Sequence, residues 1–239
     1  MIVSTKAIVF SAIKYAEADL IVSCFTEKEG IKTYLLRNIL KSKSRKLKAS
    51  QFQLLTQLEL VAYHKNKGSL ESIREAKVIY PYKTLHTNVI KTSMIMFLAE
   101  MLKNCIKEEE PNAGLFEYLE NVLYWLDCHE DIANFHILFL LKLSSHLGFQ
   151  PDDSNINAPF FNHQEGCFQE NESGIYCDKG PVVEDFKYFF GINFDSINAI
   201  KIRKKARLDV LNLLLNYYQL HLQDYKKPKS LLVLNQLFQ

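Results

Sequence analysis

The sequence of 239 residues predicts an α+β protein: a five-stranded β-barrel over residues 1–80, then an all-helical domain over 81–239 with a long irregular insertion at about 149–181. Three observations predict it. The first eighty residues hold β-branched and aromatic runs divided by turn signals at short spacing. After Pro81 the apolar period changes from two to about 3.6. Residues 149–181 are rich in Asn, Asp, Gly and Pro and too long for an ordinary helix connection.

Strands are expected at 6–13, 20–26 and 31–36. Glu27-Lys28-Glu29-Gly30 separates the last two, with Gly30 free to take the positive φ of a tight hairpin. A longer strand is expected over 52–63, with Leu54, Leu58, Leu60 and Ala62 on one face, although Leu55 and Val61 break the alternation. A Lys-Asn-Lys-Gly turn at 65–68 leads to a fifth strand over 69–79. Five such strands suit a small barrel, whether oligonucleotide-binding or SH3-like. Helices are then expected at 84–107, from an Asn112 cap to Leu126, and from an Asp131 cap to Leu147, where Gly148 stops the third. Helical patterning resumes at 182–190 and 204–222, and a short helix follows Pro228.

Apolar residues make up 48% of the chain and charged ones 23%, which excludes a disordered chain, a collagen-like repeat and a disulfide scaffold. No signal peptide is expected after Met1, and the longest apolar run, 94–99, is far short of the roughly 20 residues of a membrane helix. Five scattered cysteines fit reduced thiols in a cytoplasm. Phosphate-cradling glycine loops, HExxH and GxSxG are all absent, so no enzyme is expected. His163, Cys167 and Cys177 look like metal ligands, which leaves a metal-dependent enzyme as a minor alternative. A closed zinc site takes four ligands, usually in close pairs, and no fourth is evident; no cofactor is expected.

The net charge of +2 hides a segregation: residues 1–80 sum to +7, 81–200 to −11 and 201–239 to +6. The densest patch runs from Arg37 to Lys48, where Arg37, Lys41, Lys43, Arg45, Lys46 and Lys48 stand with no acidic residue among them. That density, between the third and fourth strands, matches a phosphate-contacting loop, each cation releasing a condensed counterion on binding. A solvated surface loop is the plainer alternative. A second patch, Arg203, Lys204, Lys205 and Arg207, opens the long C-terminal helix, where the helix dipole disfavours cations. Lys226, Lys227 and Lys229 follow that helix, where they complement the dipole. Tyr15, Tyr34 and Tyr63 are the barrel's candidates for base stacking.

The opening KAIVFSAIKYAEADLIVSCFTEKEG, with Tyr15, Glu17 and Asp19 at its turn, resembles the start of the RecO family of bacterial recombination-mediator and DNA-annealing proteins. EPNAGLFEYL at 110–119, FHILFLLKLSSHLGFQPD at 135–152 and YYQLHLQDYKKPKSLLVL at 217–234 follow in that family's order, across nearly the whole chain. The resemblance implies an oligonucleotide-binding barrel before the helical domain. It implies a DNA repair and recombination mediator of the RecF pathway, cytoplasmic and nucleoid-associated. Such proteins bind single- and double-stranded DNA and anneal complementary strands. With RecR they help load RecA on DNA coated by single-strand-binding protein. The loop cations would then contact phosphates, and Lys226, Lys227 and Lys229 would meet the acidic tail of single-strand-binding protein. The competing reading is a protein-interaction adaptor whose basic patches take acidic peptides.

One departure stands out. Many members carry a four-cysteine zinc module between helices. Here Cys177 matches one ligand, its C-x2-C partner position is Gly180, and no cysteine pair lies between 148 and 166. The expectation is a module in which Phe160, Phe161 and Phe168 pack where a metal would sit.

Overall fold

The computed structural model describes residues 1–41, 47–65, 70–107 and 109–237. Five strands form one antiparallel sheet: β1 (Ile2–Tyr15), β2 (Asp19–Thr26), β3 (Gly30–Leu36), β4 (Gln57–Tyr63) and β5 (Ser72–Val78), in the order β3-β2-β1-β4-β5. A parallel bridge between Tyr34 and Glu71 closes the sheet on itself. Leu35 N–H donates to the Glu71 carbonyl at 2.9 Å, and Glu71 N–H donates to that of Thr33 at 2.8 Å. The circuit 1-2-3-5-4-1, with a parallel β3–β5 closure, is that of an oligonucleotide-binding barrel and resolves the choice left open by strand count. Alternation puts Val22, Cys24, Leu58 and Leu60 inside, and Gly30 takes the expected positive φ, +61°.

The fourth strand starts later than expected, at Gln57. Residues 49–52 form a 3₁₀ turn, and Leu55 adopts φ +58° while fully buried, its N–H bonded to the Val9 carbonyl at 2.7 Å. The break in alternation at Leu55 is therefore a backbone kink, and Phe52 just before it packs into the barrel core.

Helices α1 (Val89–Cys105) and α2 (Ala113–Cys128) complete the first compact unit, Met1–Cys128. Asn88 caps α1, accepting from Ile90 and Lys91 N–H, and the Asn112 side chain accepts from Leu115 N–H at 3.0 Å, as a cap should. Residues 84–87 precede α1 as turns held by Asp127. That buried carboxylate accepts from the backbone N–H groups of Lys83 (2.9 Å), Thr84 (2.8 Å) and Leu85 (3.1 Å) and from the Thr84 hydroxyl (2.9 Å). Burial pushes its pKa up; the hydrogen bonds outweigh that and leave it below the ordinary value. The buried Lys91 ammonium donates to the Asp127 carbonyl at 2.9 Å and to the Thr84 hydroxyl at 2.8 Å.

The second unit, His129–Gln239, holds α3 (Phe135–His146), a small sheet, α4 (Pro181–Lys187), α5 (Lys204–His221) and α6 (Leu231–Leu237). The expected Asp131 cap is corrected: α3 starts after Asn134, and even that side chain makes no cap bond. Its amide instead donates to the Ile200 carbonyl at 2.9 Å and its oxygen accepts from Arg207 Nε at 2.9 Å. At the other end Gly148, φ +82°, closes a Schellman motif: its N–H reaches the Ser145 carbonyl and Phe149 N–H that of Ser144.

The insertion folds into the three-stranded sheet β7-β6-β8: β6 (Phe160–Asn162), β7 (Cys167–Gln169) and β8 (Cys177–Lys179). Phe161 and Phe168 are buried, with ring centroids 5.1 Å apart. Phe161 also meets Phe186 of α4 at 5.3 Å and Tyr217 of α5 at 5.8 Å. Phe160 stays half-buried, with the Lys179 ammonium 5.8 Å above its ring. The apolar centre therefore recruits Phe186 and Tyr217 from the flanking helices, while Phe160 stays at its edge.

Candidate nucleic-acid interface

The basic insertion leaves the barrel at the end of β3. Asn38, φ +55°, turns the chain; its N–H donates to Asp19 Oδ1 at 2.7 Å, and Leu40 N–H donates to the Ala18 carbonyl at 2.9 Å. These bonds pin the start of the insertion to the β1–β2 turn, one of the loops through which such barrels hold oligonucleotides. Arg37, Lys41 and Lys48 are exposed, and Lys43, Arg45 and Lys46 lie outside the described residues.

Lys41 Nζ sits 2.8 Å from Glu17 Oε2, but their side chains are 65% and 89% exposed, so the pair contributes well under about 1 kcal/mol and yields readily to a phosphate. Among the described residues Arg37 and Lys48 form no ion pair. Other barrel lysines do meet carboxylates of the acidic middle: Lys6 with Glu120 at 3.1 Å and the buried Lys32 with Glu109 at 3.0 Å.

Tyr15 and Tyr63 are exposed, as a stacking platform must be. Tyr34 is corrected: it is fully buried, with its hydroxyl 2.9 Å from His64 Nε2, and His64 Nδ1 is held by Glu29. Alternation along β3 places Tyr34 on the barrel's interior face, so it cannot stack a base.

Sequence reasoning missed a groove of about 620 Å³ beside the β3–β5 seam. Arg37, Lys65 and Arg74 border it, over aliphatic side chains such as Leu36 and Ile73. Lys65 and Arg74 are isolated cations in the chain, and only barrel closure brings them to Arg37; no linear signal marks them.

In the second unit Arg203 precedes α5, and Lys204 and Lys205 begin it. Arg203 and Lys205 are exposed and Lys204 is half-buried. Arg203 and Lys205 border a hollow of about 610 Å³ that Asp178, Asp185 and Asp209 also line, so its charge is mixed. Burial and the nearby Asp209 and Glu184 raise the Asp185 pKa. Arg207 turns inward onto Asn134, and burial lowers its pKa. It lies near His136, which burial, assisted by the Arg207 charge, pushes down to about 3. Lys226, Lys227 and Lys229 are exposed in the segment leading to α6, whose Leu232 and Val233 are exposed too.

Cys167 and Cys177 pair in register with the same residue, Asn162, from opposite sides of β6. That puts their backbones two strand spacings apart, about 9.6 Å. His163 Nε2 is engaged by Asp178 Oδ2 at 2.7 Å. No group of three ligand-type side chains that could hold a metal occurs among the described residues.

No described helix is long and apolar enough to cross a membrane. The family model for the recombination protein O N-terminal region matches residues 1–82, and that for its C-terminal region matches 86–231. The chain is 51% identical to the DNA repair protein RecO of Christiangramia forsetii and 43% identical to that of Flavobacterium psychrophilum, covering the full length of both partners in each case. It is 32% identical to the RecO of Bacteroides fragilis, again over full length. A closed barrel of oligonucleotide-binding topology, a basic insertion pinned to its β1–β2 turn and these full-length matches place the chain in the RecO family.

Proposed function

We propose that this protein acts in DNA repair and recombination by binding single- and double-stranded DNA and annealing complementary strands. The observation that carries the reading is the segregation of charge: residues 1–80 sum to +7 against −11 for 81–200, and among the described residues Arg37 and Lys48 form no ion pair, while Lys6 and Lys32 meet carboxylates of the acidic middle. Annealing then needs no covalent chemistry. Cations placed between two phosphate backbones lower their repulsion, so complementary bases can pair. The domain carrying this work is the barrel, residues 1–80, with residues 81–239 supplying partner contacts. Arg37, Lys41, Lys43, Arg45, Lys46 and Lys48 hold phosphates, and Arg203, Lys204 and Lys205 add a second cationic patch. Arg207 belongs to that patch only in part, because its guanidinium also ties α5 to Asn134.

The same reading gives the protein partners. Lys226, Lys227 and Lys229, beside the exposed apolar side chains of α6, suit the acidic and apolar tail of single-strand-binding protein. RecR is the partner with which it helps load RecA. The resemblance supports these steps, and the protein works in the cytoplasm at the nucleoid. The test is strand annealing across a salt series, with and without single-strand-binding protein. Annealing should fall steeply as salt rises, and Arg45, Lys46 and Lys48 changed together to Gln should abolish it while partner binding persists. Annealing that ignores salt contradicts the proposal; loss of partner binding with annealing intact favours an adaptor of acidic peptides.

A further inference from the structure

The barrel closes through one bridge. Beyond Tyr34 and Glu71 the two strands part, and the groove described above opens between the end of β3 and the start of β5. Its floor is aliphatic: Leu36, Ile39 and Ile73 belong to the barrel core and show only their outer edges. Leu70 forms a wall, 42% exposed. Among the described residues no aromatic side chain lines it. Its rim carries Arg37, Lys65 and Arg74, all exposed. Among the described residues Arg74 pairs with Glu75 alone, at 3.6 Å between half-exposed side chains. Glu71, the one carboxylate among the described lining residues, is buried and accepts from Lys65 N–H at 2.8 Å.

An anionic ligand with flat apolar faces fits such a surface. Its size, about 620 Å³, lies within the range of small-ligand sites and takes one or two nucleotides. We propose that the groove seats unstacked bases of a single strand on its aliphatic floor while Arg37, Lys65 and Arg74 hold the flanking phosphates. Arg37 also opens the basic insertion, so the groove continues the cationic surface already described. Every base offers an apolar face, so the seat tolerates any sequence. A duplex keeps its bases stacked and cannot fill it. The groove therefore distinguishes single from double strands, a discrimination that phosphate contacts alone do not supply. The inference rests on the DNA-binding function proposed above.

The test uses the full chain and fluorescence anisotropy with three probes of about 12 nucleotides, a length within the usual span of such barrels. They are oligo-dT, the same backbone made of abasic sites, and a duplex. Wild type should bind oligo-dT at least about fivefold tighter than the abasic strand at equal salt. Leu70→Ser, at an exposed position, should erase that difference and leave duplex affinity within about twofold, with an unchanged thermal midpoint. Arg74→Gln should lower the single-strand salt slope by about 0.7. Equal wild-type affinity for oligo-dT and abasic strands, with salt-dependent binding intact, overturns the base seat and leaves DNA binding standing. Failure to bind any of the three probes overturns both. The seat is also overturned if an acidic leucine-containing peptide binds wild type but not Leu70→Ser while oligo-dT binds both alike; the groove then belongs to a protein segment.

Discussion

Replacing Phe161 with Ala tests what holds the insertion together. Phe161 is fully buried, and its ring lies 5.1 Å from Phe168, 5.3 Å from Phe186, 5.8 Å from Tyr217 and 5.2 Å from His163, centroid to centroid. Truncating a buried Phe costs about 3–5 kcal/mol, combining lost transfer energy with the cavity left behind. Each well-disposed ring pair adds roughly 0.5–1.5 kcal/mol beyond its buried area. Three neighbours on three separate elements and a fourth in the turn after β6 leave little room to collapse, so the upper end, about 5 kcal/mol, is expected. Urea unfolding followed by circular dichroism reads the loss. The same titration on wild type with a millimolar chelator should superimpose on the untreated curve, because on this account the ring cluster alone holds the insertion. A chelator-induced drop in the midpoint, or a Phe161→Ala cost below about 1 kcal/mol, would refute the aromatic account.

Three further outcomes concern other buried groups. Asp127→Ala strips the acceptor from three backbone N–H groups and should cost about 3 kcal/mol or more in urea unfolding, with Asp127→Asn intermediate. Because its folded pKa is lowered, the Asp127 contribution is complete above the ordinary carboxylate range near pH 4 and fades as pH falls below it; Asp127→Asn should flatten that acid limb. His136 behaves oppositely to a paired histidine. Its pKa is about 3 folded against roughly 6.5 unfolded, so stability should fall by about 1.4 kcal/mol per pH unit between those values as the unfolded chain takes the proton. His136→Leu should remove that difference when unfolding is compared at pH 7, 5 and 4. Gly166 sits at φ +66°, and an added Cβ would lie 2.6 Å from the Tyr217 hydroxyl, so Gly166→Ala should cost about 1–3 kcal/mol; adding Tyr217→Phe should restore part of it in a double-mutant cycle.

Period and turn chemistry made most of the architecture legible. The strands at 20–26 and 31–36, the helix at 204–222 and the Gly148 stop come from local patterns that tertiary contacts reinforce. What failed locally failed for tertiary reasons. Leu55 reads as strand, but the backbone bends there, with φ +58°, and its N–H bonds to the Val9 carbonyl, far back along the chain. Asp131 reads as a cap, whereas Asn134 starts the helix and spends its side chain on Ile200 and Arg207, far along the chain. Barrel type required the β3–β5 closure, which pairing alone reveals. For the site, the 37–48 charge run was plain in the sequence because six cations fall within twelve residues with no acid among them. The inward turn of Arg207, the burial of Tyr34 and the arrival of Lys65 and Arg74 at one groove depend on packing between distant residues and left no linear trace.

The account stands on the insertion cations neutralising DNA phosphates, and the salt dependence of single-strand affinity measures that directly. Each contact contributes about 0.7 to the log–log slope, so changing Arg37, Lys41, Lys43, Arg45, Lys46 and Lys48 together to Gln should flatten it by about four. A variant that keeps the wild-type slope contradicts the account.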